Sequence, residues 1–412
     1  MIDLSLLRDN PERIIALIKK KDPAYDAQLL FDLDAKVKAL RIEVEQLRHK
    51  KNEFAKKGWQ GVTNELREES KQIGKQLKEK DGQLHELEKT FKRLHLECPN
   101  IPREDVPKGN KESNKVIKEF GKKPAFDFEI KDHIVLGEQL GWLDFEGAAR
   151  IAGSNFALYK GDAVRLMYAL TMYMLKHNIA NGFSPVLPPY IVNEKSLTTS
   201  GNFPKFRDQV YELKDHDLFL TPTAEVDLAS LYRGKILSAE ELPVRMTSWT
   251  SCFRSEAGAY GAAERGLIRI HQFEKVELFS VCEPEKSNDE LDRMIAIAEH
   301  TLQKLNLHYR ISLLAAQDCS FPSAKTYDIE VWMPARKEYY EVSSCSNCTD
   351  FQSRRGLIRY KKSTESKTSL VHTLNGSSLA LPRLMVAIME TYQQADGSIA
   401  IPEFLKKEAL FT

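Results

Sequence analysis

From Leu33 the apolar residues recur in steps of four and three: Leu33, Val37, Leu40, Val44 and Leu47, followed in the same phase by Lys51 and Phe54. This is the seam of a coiled coil. After a break containing Gly58, Trp59 and Gly61, the alternation resumes at Leu66. It continues through Ser70, Ile73, Leu77, Lys80, Leu84, Leu87, Phe91 and Leu94. Two matching seams on either side of a Gly-flanked turn predict an antiparallel helical hairpin over about residues 31–97. At ~1.5 Å per residue, helices of about 25 to 30 residues reach roughly 40 Å. A two-helix arm of that length buries little of itself and is expected to project from a body. Residues 1–22, where Pro11 and Glu12 suit a helix start, are expected to form a short helix at its base.

The rest of the chain is long enough to supply that body. Of its 412 residues 42% are hydrophobic and 29% charged, which allows a real core beneath a solvated surface. A net charge of +1 excludes a globally basic polymer-binder, though not a local basic surface. No basic-then-apolar leader opens the sequence and no uncharged apolar run is long enough to span a membrane. Six cysteines make no disulfide framework, so a cytoplasmic location is expected. The lone CxxC of Cys345 and Cys348 is half of a structural zinc site at most and reads as incidental thiols.

Pro99, Pro102, Pro107, Gly109, Gly121 and Pro124 among charges mark residues 98–124 as linker-like. The expected organisation is therefore an N-terminal domain over 1–105, a linker over 106–124 and a second domain over 125–412. In that second domain strand-like runs (156–159, 210–213, 218–221, 328–333, 339–343) interleave with helical patterns near 161–180, 287–305 and 379–395, without a βαβ rhythm. The fold class expected is α+β, an antiparallel sheet with flanking helices.

Residues 252–281 carry most of the chemistry. Two strand-like runs flank a Gly/Ala-rich loop, Ala257 to Gly266. Alternation in the second run puts Arg269, His271, Phe273, Lys275 and Glu277 on one face, and Ile268, Ile270, Val276 and Leu278 on the other. Arg254 and Glu256 share a face at the end of the first run, with Ser255 between them. A solvated polar face has no reason to collect an aromatic ring and paired Arg/Glu so densely. There is no Walker loop and no dinucleotide fingerprint. A nucleotide would be held here instead, with Phe273 stacking on a base, Glu256 engaging its exocyclic amine, and Arg254 and Arg269 forking onto phosphates.

Three other segments suit the same chemistry. Thr223 in Thr221-Pro222-Thr223-Ala224-Glu225 is a site candidate, or simply a helix cap. Glu341-Val342-Ser343-Ser344 ends a strand with a carboxylate and hydroxyls that suit Mg²⁺ beside phosphates, or is a solvated edge. Residues 372–378 lead into a helix carrying Arg383.

FRSEAG with RGLIRIHQFEKVE resembles motif 2 of the class II aminoacyl-tRNA synthetases. NGSSLALPR resembles their motif 3, and GFSPVLPPYIV their motif 1, which lies at the class's dimer interface. TPTAEV, KTYDIEVW, EVSSCSN, DFQSRR and LVHTLNG, in this order, resemble the seryl-tRNA synthetases more narrowly.

The resemblance implies a homodimeric, cytoplasmic ligase that joins L-serine and ATP into seryl-adenylate, with Mg²⁺. It then charges tRNA(Ser), and tRNA(Sec) as well. The class II sheet would follow an N-terminal coiled-coil arm. Carried across, Thr223, Glu225 and Ser377 line the serine site with Arg254, and Glu277 holds the amino group. Arg254 bridges the serine carboxylate and the α-phosphate. Glu256 reads adenine between Phe273 and Arg383, and Arg269 holds the terminal phosphates. Ser255, Val342 and Ser343 complete the ATP contacts, and Glu341 with Ser344 binds Mg²⁺. Arg254, Glu256 and Arg383 are the catalytic set.

The arm would meet the tRNA through His49, Lys50, Lys51, Lys56 and Lys57, although residues 31–97 hold 16 Lys/Arg against 13 Asp/Glu and form no basic stripe. The sequence departs from the family pattern at Ala262-Ala263-Glu264, a loop less polar than usual where the acceptor stem should approach. It departs also at Ser378 and Leu381-Pro382, where glycines are common. Rival expectations are an arm-bearing paralogue charging another acceptor, a catalytically inactive tRNA-binding relative, and a coiled-coil assembly protein with a globular head.

Overall fold

The structure, a computed structural model, describes residues 1–58, 63–256 and 265–407. The chain divides into two compact units, Ile2–Pro99 and Asn100–Thr412.

In the first unit the expected single short helix is two, α1 (Leu4–Asp9) and α2 (Pro11–Lys21). Asn10 separates them: it ends α1, and its side chain accepts from the Arg13 N–H to cap α2. Pro11 opens α2, where its missing N–H costs nothing. The arm is α3 (Ala27–Gly58) and α4 (Asn64–Glu97), the latter capped by Thr63. Gly58 ends α3, while Trp59 and Gly61 of the expected turn lie outside the described residues. The heptad positions meet as the spacing predicts. Val37, Val44 and Leu84 are buried, with Leu40, Leu77, Leu87 and Phe91 packed on them. Ion pairs Arg41–Glu88, Arg48–Asp81 and Lys80–Glu43 cross between the helices, so the seam position Lys80 is accommodated by reaching a carboxylate. At the base, the Tyr25 hydroxyl donates to the Leu94 carbonyl and Arg8 forks onto Asp34.

The second unit is built on an eight-stranded sheet. Its strands are β1 (Lys115–Phe120), β2 (Ser184–Pro185), β3 (Val244–Phe253), β4 (Gln272–Cys282), β5 (Tyr309–Leu313), β6 (Lys325–Met333), β7 (Glu338–Asn347) and β8 (His372–Ala380). The spatial order is β1-β5-β6-β7-β8-β4-β3-β2, antiparallel throughout except for the short β2–β3 pair. Helices α5 (Asp162–Ala180), α7 (Ser287–Lys304) and α8 (Leu381–Tyr392) supply the apolar cover, and α6 (Ala224–Ser230) packs against β3 and β4. The main core joins Leu166 and Leu170 of α5, Leu384 and Ile388 of α8, and Val276, Ile329, Val331 and Val342 of the sheet. Gly376 lets β8 approach β7, because a Cβ there would fall 2.8 Å from the Cys345 sulfur.

Several expectations need correction. The segment 106–124, read as linker, contains β1, the sheet's edge strand. Its prolines and glycines among charges made it look like a loop, and such charges are also what an exposed edge carries. Phe156–Tyr159 and Val210–Leu213 are not strands but hold single bridges, Leu143–Tyr159 and Glu212–Phe219. A positive φ at Gly153 and Asn155 breaks the extended backbone before the first of these. The second run of the 252–281 hairpin begins as a strand only at Gln272, so Arg269 to His271 lie in an irregular approach to it.

Candidate active site

The register of three neighbouring strands assembles the site. Glu277 of β4 stands opposite Ser248 of β3 and Ser377 of β8, and Lys275 stands opposite Thr250 and Ala380. Phe273, Lys275 and Glu277 share one face by strand alternation while Val276 enters the core. A cavity of about 440 Å³ opens over this face. Of the expected residues, Thr223, Glu225, Arg254, Glu256, Arg269, Phe273, Glu341, Ser377 and Arg383 line it, together with Lys275. Glu277 lies behind Lys275, almost fully buried.

Thr223 caps a helix, as one expectation had it, and also lines the cavity. Its side chain accepts from the Glu225 N–H as the cap of α6 (3.3 Å), and it also accepts from the Lys275 ammonium (2.7 Å). Lys275 further pairs with Glu277 at 2.5 Å. Glu225, half-buried on the same wall, forms no ion pair among the described residues. One of its oxygens accepts from Gln352 Nε2 (2.6 Å) and Asn375 Nδ2 (2.7 Å). Burial first, then the Glu277 charge, pushes Glu225 up to about 7, with Lys275 pulling the other way. Gln352 is itself fixed, donating to Ser200 O and accepting from the Thr373 hydroxyl.

Arg254 is set by the continuation of the ladder past the strand ends: its N–H donates to His271 O, and its own carbonyl meets His271 Nδ1. Its guanidinium donates to Pro222 O and lies 5.1 Å from the Phe273 ring centroid. The cation over Phe273 is therefore Arg254. Arg383, expected to stack above a base sandwiched on that ring, instead donates to the carbonyls of Glu341 (2.8 Å) and Ile268 (3.3 Å) and approaches the Glu341 carboxylate at 3.3 Å. Glu256, at a left-handed φ of 50°, pairs through its carboxylate with Arg269, whose Nε lies 2.5 Å away.

The remaining expected ATP contacts lie off the cavity. The Ser255 hydroxyl donates to Asp208 O, and the Ser343 hydroxyl donates to Ser377 O. Val342 is a core side chain, because alternation on β7 turns it away from Glu341's face. Ser344 stands opposite Asp328 across the β6–β7 ladder and hydrogen-bonds to it. The other Asp328 oxygen is buried without a hydrogen-bond partner among the described residues, and burial and then Glu341 hold Asp328 well above the usual carboxylate range. This all-oxygen group of Glu341, Ser344 and Asp328 suits a hard divalent cation. No group of three His, Cys, Asp or Glu among the described residues could hold a metal by itself, so such a cation would take its remaining ligands from phosphate and water.

The approach to β4 depends on a contact that sequence reading did not find. His133 Nε2 accepts from the Leu267 N–H (3.2 Å), while His133 Nδ1 faces the wholly buried Glu390 at 3.2 Å. The other Glu390 oxygen accepts from the Ala335 N–H. At Gly266, φ is +73° and a Cβ would fall 2.2 Å from His133 Nε2, so only glycine fits beneath this histidine. The departures at motif 3 are well tolerated. The Ser378 hydroxyl donates to Asn178, and Pro382 sits in the first turn of α8. Ala262, Ala263 and Glu264 lie outside the described residues, as does the Lys57 side chain. His49, Lys50, Lys51 and Lys56 are exposed on α3. Cys345 and Cys348 are buried thiols, the latter accepting from Asn375 Nδ2.

An antiparallel sheet with an arginine-bearing strand pair and a third strand running into a helix defines the class II tRNA synthetases. The class II core domain model (G, H, P, S and T) matches residues 208–392. Prolyl-tRNA synthetase of Giardia lamblia shares the fold over 68% of this chain, at 14% identity and TM-score 0.59. The N-terminal unit resolves which member this is, since the seryl-tRNA synthetase N-terminal domain model matches residues 1–102. The chain is 44% identical to serine–tRNA ligase of Desulfotalea psychrophila, over 98% of both chains, and 45% identical to that of Syntrophobacter fumaroxidans, again over 98% of both. The solved seryl-tRNA synthetase of Pyrococcus horikoshii, complexed with ATP, superposes with TM-score 0.92 at 35% identity, covering 99% of this chain and 98% of that one. The chain belongs to the seryl-tRNA synthetase family.

Proposed function

We propose that this protein activates L-serine with ATP to seryl-adenylate and transfers the seryl group to the 3′-terminal ribose of tRNA(Ser), and of tRNA(Sec). The observation that carries this reading is the pairing, in one cavity, of a half-buried carboxylate without an ion-pair partner among the described residues, Glu225, with a neutralised polar wall, Thr223–Lys275–Glu277. An amino acid with an ammonium and a small neutral side chain matches it. Glu225 takes the ammonium. Glu277, first expected to do so, already carries Lys275 and instead backs the wall that meets the hydroxyl, with Ser377 beside it.

Arg254, reaching between Pro222 O and Phe273, holds the serine carboxylate against the α-phosphate and stabilises charge as they react. ATP exchanges the Glu256–Arg269 pair for two new ones: Glu256 to the adenine amine and Arg269 to the terminal phosphates. Phe273 lies under the base, and Arg383 closes over it after leaving Glu341. Ser255 and Ser343 act through the backbones they fasten, and Val342 through the core. Glu341 and Ser344 would hold Mg²⁺, which neutralises phosphate charge when bound. No side chain serves as a nucleophile; positioning and electrostatics carry the reaction.

Residues 1–105 bind tRNA and 125–412 catalyse, with the segment between them shared by the sheet. His49, Lys50, Lys51, Lys56 and Lys57 contact the tRNA backbone, recognised by shape more than by sequence. Exposed Ile179, Leu187 and Ile191 in and beside motif 1 support a homodimer through that surface. No helix among the described residues is long and apolar enough to cross a membrane, in keeping with a cytoplasmic enzyme. ATP–pyrophosphate exchange across the amino acids tests the reading. Exchange dependent on serine is expected, and exchange with no amino acid would overturn it in favour of an inactive tRNA-binding relative.

A further inference from the structure

Lys275 lines the cavity wall, yet the activation reaction, as just described, gives its ammonium no contact with ATP. It is also an expensive residue to place there. Its side chain is about nine-tenths buried, and a lysine ammonium is tolerated at such depth only with partners. It has two: Thr223 Oγ1 at 2.7 Å and Glu277 Oε2 at 2.5 Å. An ammonium carries three donors, so one N–H remains, and the residue faces the cavity. The nearby carboxylate Glu225 is satisfied by neutral amides only. The pocket thus presents one uncompensated negative charge and one compensated one.

We infer that Lys275 is a specificity-determining residue of the amino acid pocket: its ammonium, seated between Thr223 and Glu277, makes the side-chain wall select a neutral hydroxyl and reject a second ammonium. The inference rests on the serine reading above. Serine brings one ammonium, for Glu225, and an uncharged oxygen able to accept the spare Lys275 N–H. The isostere 2,3-diaminopropionate brings a second ammonium where the hydroxyl would be. It would meet a like charge that cannot move away without exposing Glu277. Without Lys275, the buried Glu277 carboxylate becomes an attractive partner for that same group.

The test measures ATP–pyrophosphate exchange with serine and with 2,3-diaminopropionate for the wild type, Lys275→Met and the double variant Lys275→Met/Glu277→Gln. Thermal melts of each serve as a folding control. The wild type is expected to prefer serine by about 100-fold or more in kcat/KM. Lys275→Met is expected to lose serine activity and to narrow that ratio by about tenfold or more, by recruiting diaminopropionate to the unpaired carboxylate. The double variant, uncharged at both positions and so spared a lone buried charge, is expected to lose serine activity without gaining diaminopropionate. A folded Lys275→Met with the wild-type ratio would overturn the inference. So would a double variant with serine activity within about threefold of wild type, even where the single variant does not fold. Absence of serine exchange in the wild type would instead strike the functional reading on which the inference rests.

Discussion

Glu256 and Arg269 form an ion pair although one lies three residues beyond the first strand of the motif 2 hairpin and the other precedes the second. Each is expected on a different end of ATP, so nucleotide binding must separate them. Glu256→Gln keeps the shape and removes the pair. Losing a charge-assisted contact to the adenine amine is expected to raise the KM for ATP by about ten- to a hundredfold, partly offset because Arg269 is released. The KM for serine should stay near wild type. Steady-state exchange with each substrate varied in turn checks both.

Glu225 gives serine binding a pH dependence. Burial holds its folded pKa at about 7, above its ordinary value, so the folded protein keeps a proton that the unfolded chain releases. The stability linked to that proton is present at low pH and is lost as pH rises through about 7. Substrate binding runs the other way, because the serine ammonium needs the ionised carboxylate beside Lys275, Glu277 and Arg254. The KM for serine should fall from about pH 6 to about pH 8, and Glu225→Gln should bind weakly and without that slope. Asp227, also raised to about 7 by burial, does not line the cavity, so Asp227→Asn should retain the slope.

His133 links the core to the nucleotide site. Replacing it with alanine leaves Glu390 buried with a lost partner and frees the Leu267 N–H. A loss of about 1–3 kcal/mol in denaturant unfolding is expected, with weaker ATP binding because Arg269 lies two residues beyond Leu267. Serine affinity should change less, since β4 is held independently by β3 and β8.

On the proposed division of labour, the N-terminal unit binds tRNA and the second unit activates serine. Deleting residues 35–95, with a short turn joining the helix ends, should leave serine-dependent exchange close to wild type. It should abolish tRNA retention in filter binding. Unchanged tRNA affinity would remove the arm from recognition.

What could be read from the sequence follows from how far each signal reaches. The arm was legible because a heptad is local: Val37, Val44 and Leu84 declare their burial by spacing alone. Strand alternation placed Phe273, Lys275 and Glu277 on one face correctly. It overreached at Arg269 and His271, in a stretch held by residues more than a hundred positions earlier: the His271 N–H donates to Asn155 O and the Leu267 N–H to His133. β1 was missed because a short charged edge strand set between prolines and glycines has the composition of a linker. The amide pair Gln352 and Asn375 lay inside quoted motifs without a role, because only the fold brings them to Glu225. Lys275 was visible on the face, but nothing in the sequence says that its charge is spent on Glu277.

In the proposed function the cavity reads serine and delivers it to tRNA. Charging of tRNA(Ser) assayed with each amino acid in turn, ATP and Mg²⁺ tests it most directly. Serine alone should yield an ester-linked aminoacyl-tRNA, and Arg254→Ala should abolish it by losing transition-state stabilisation of at least about 100-fold. Charging with a different amino acid, or serine charging undiminished in Arg254→Ala, would contradict the account.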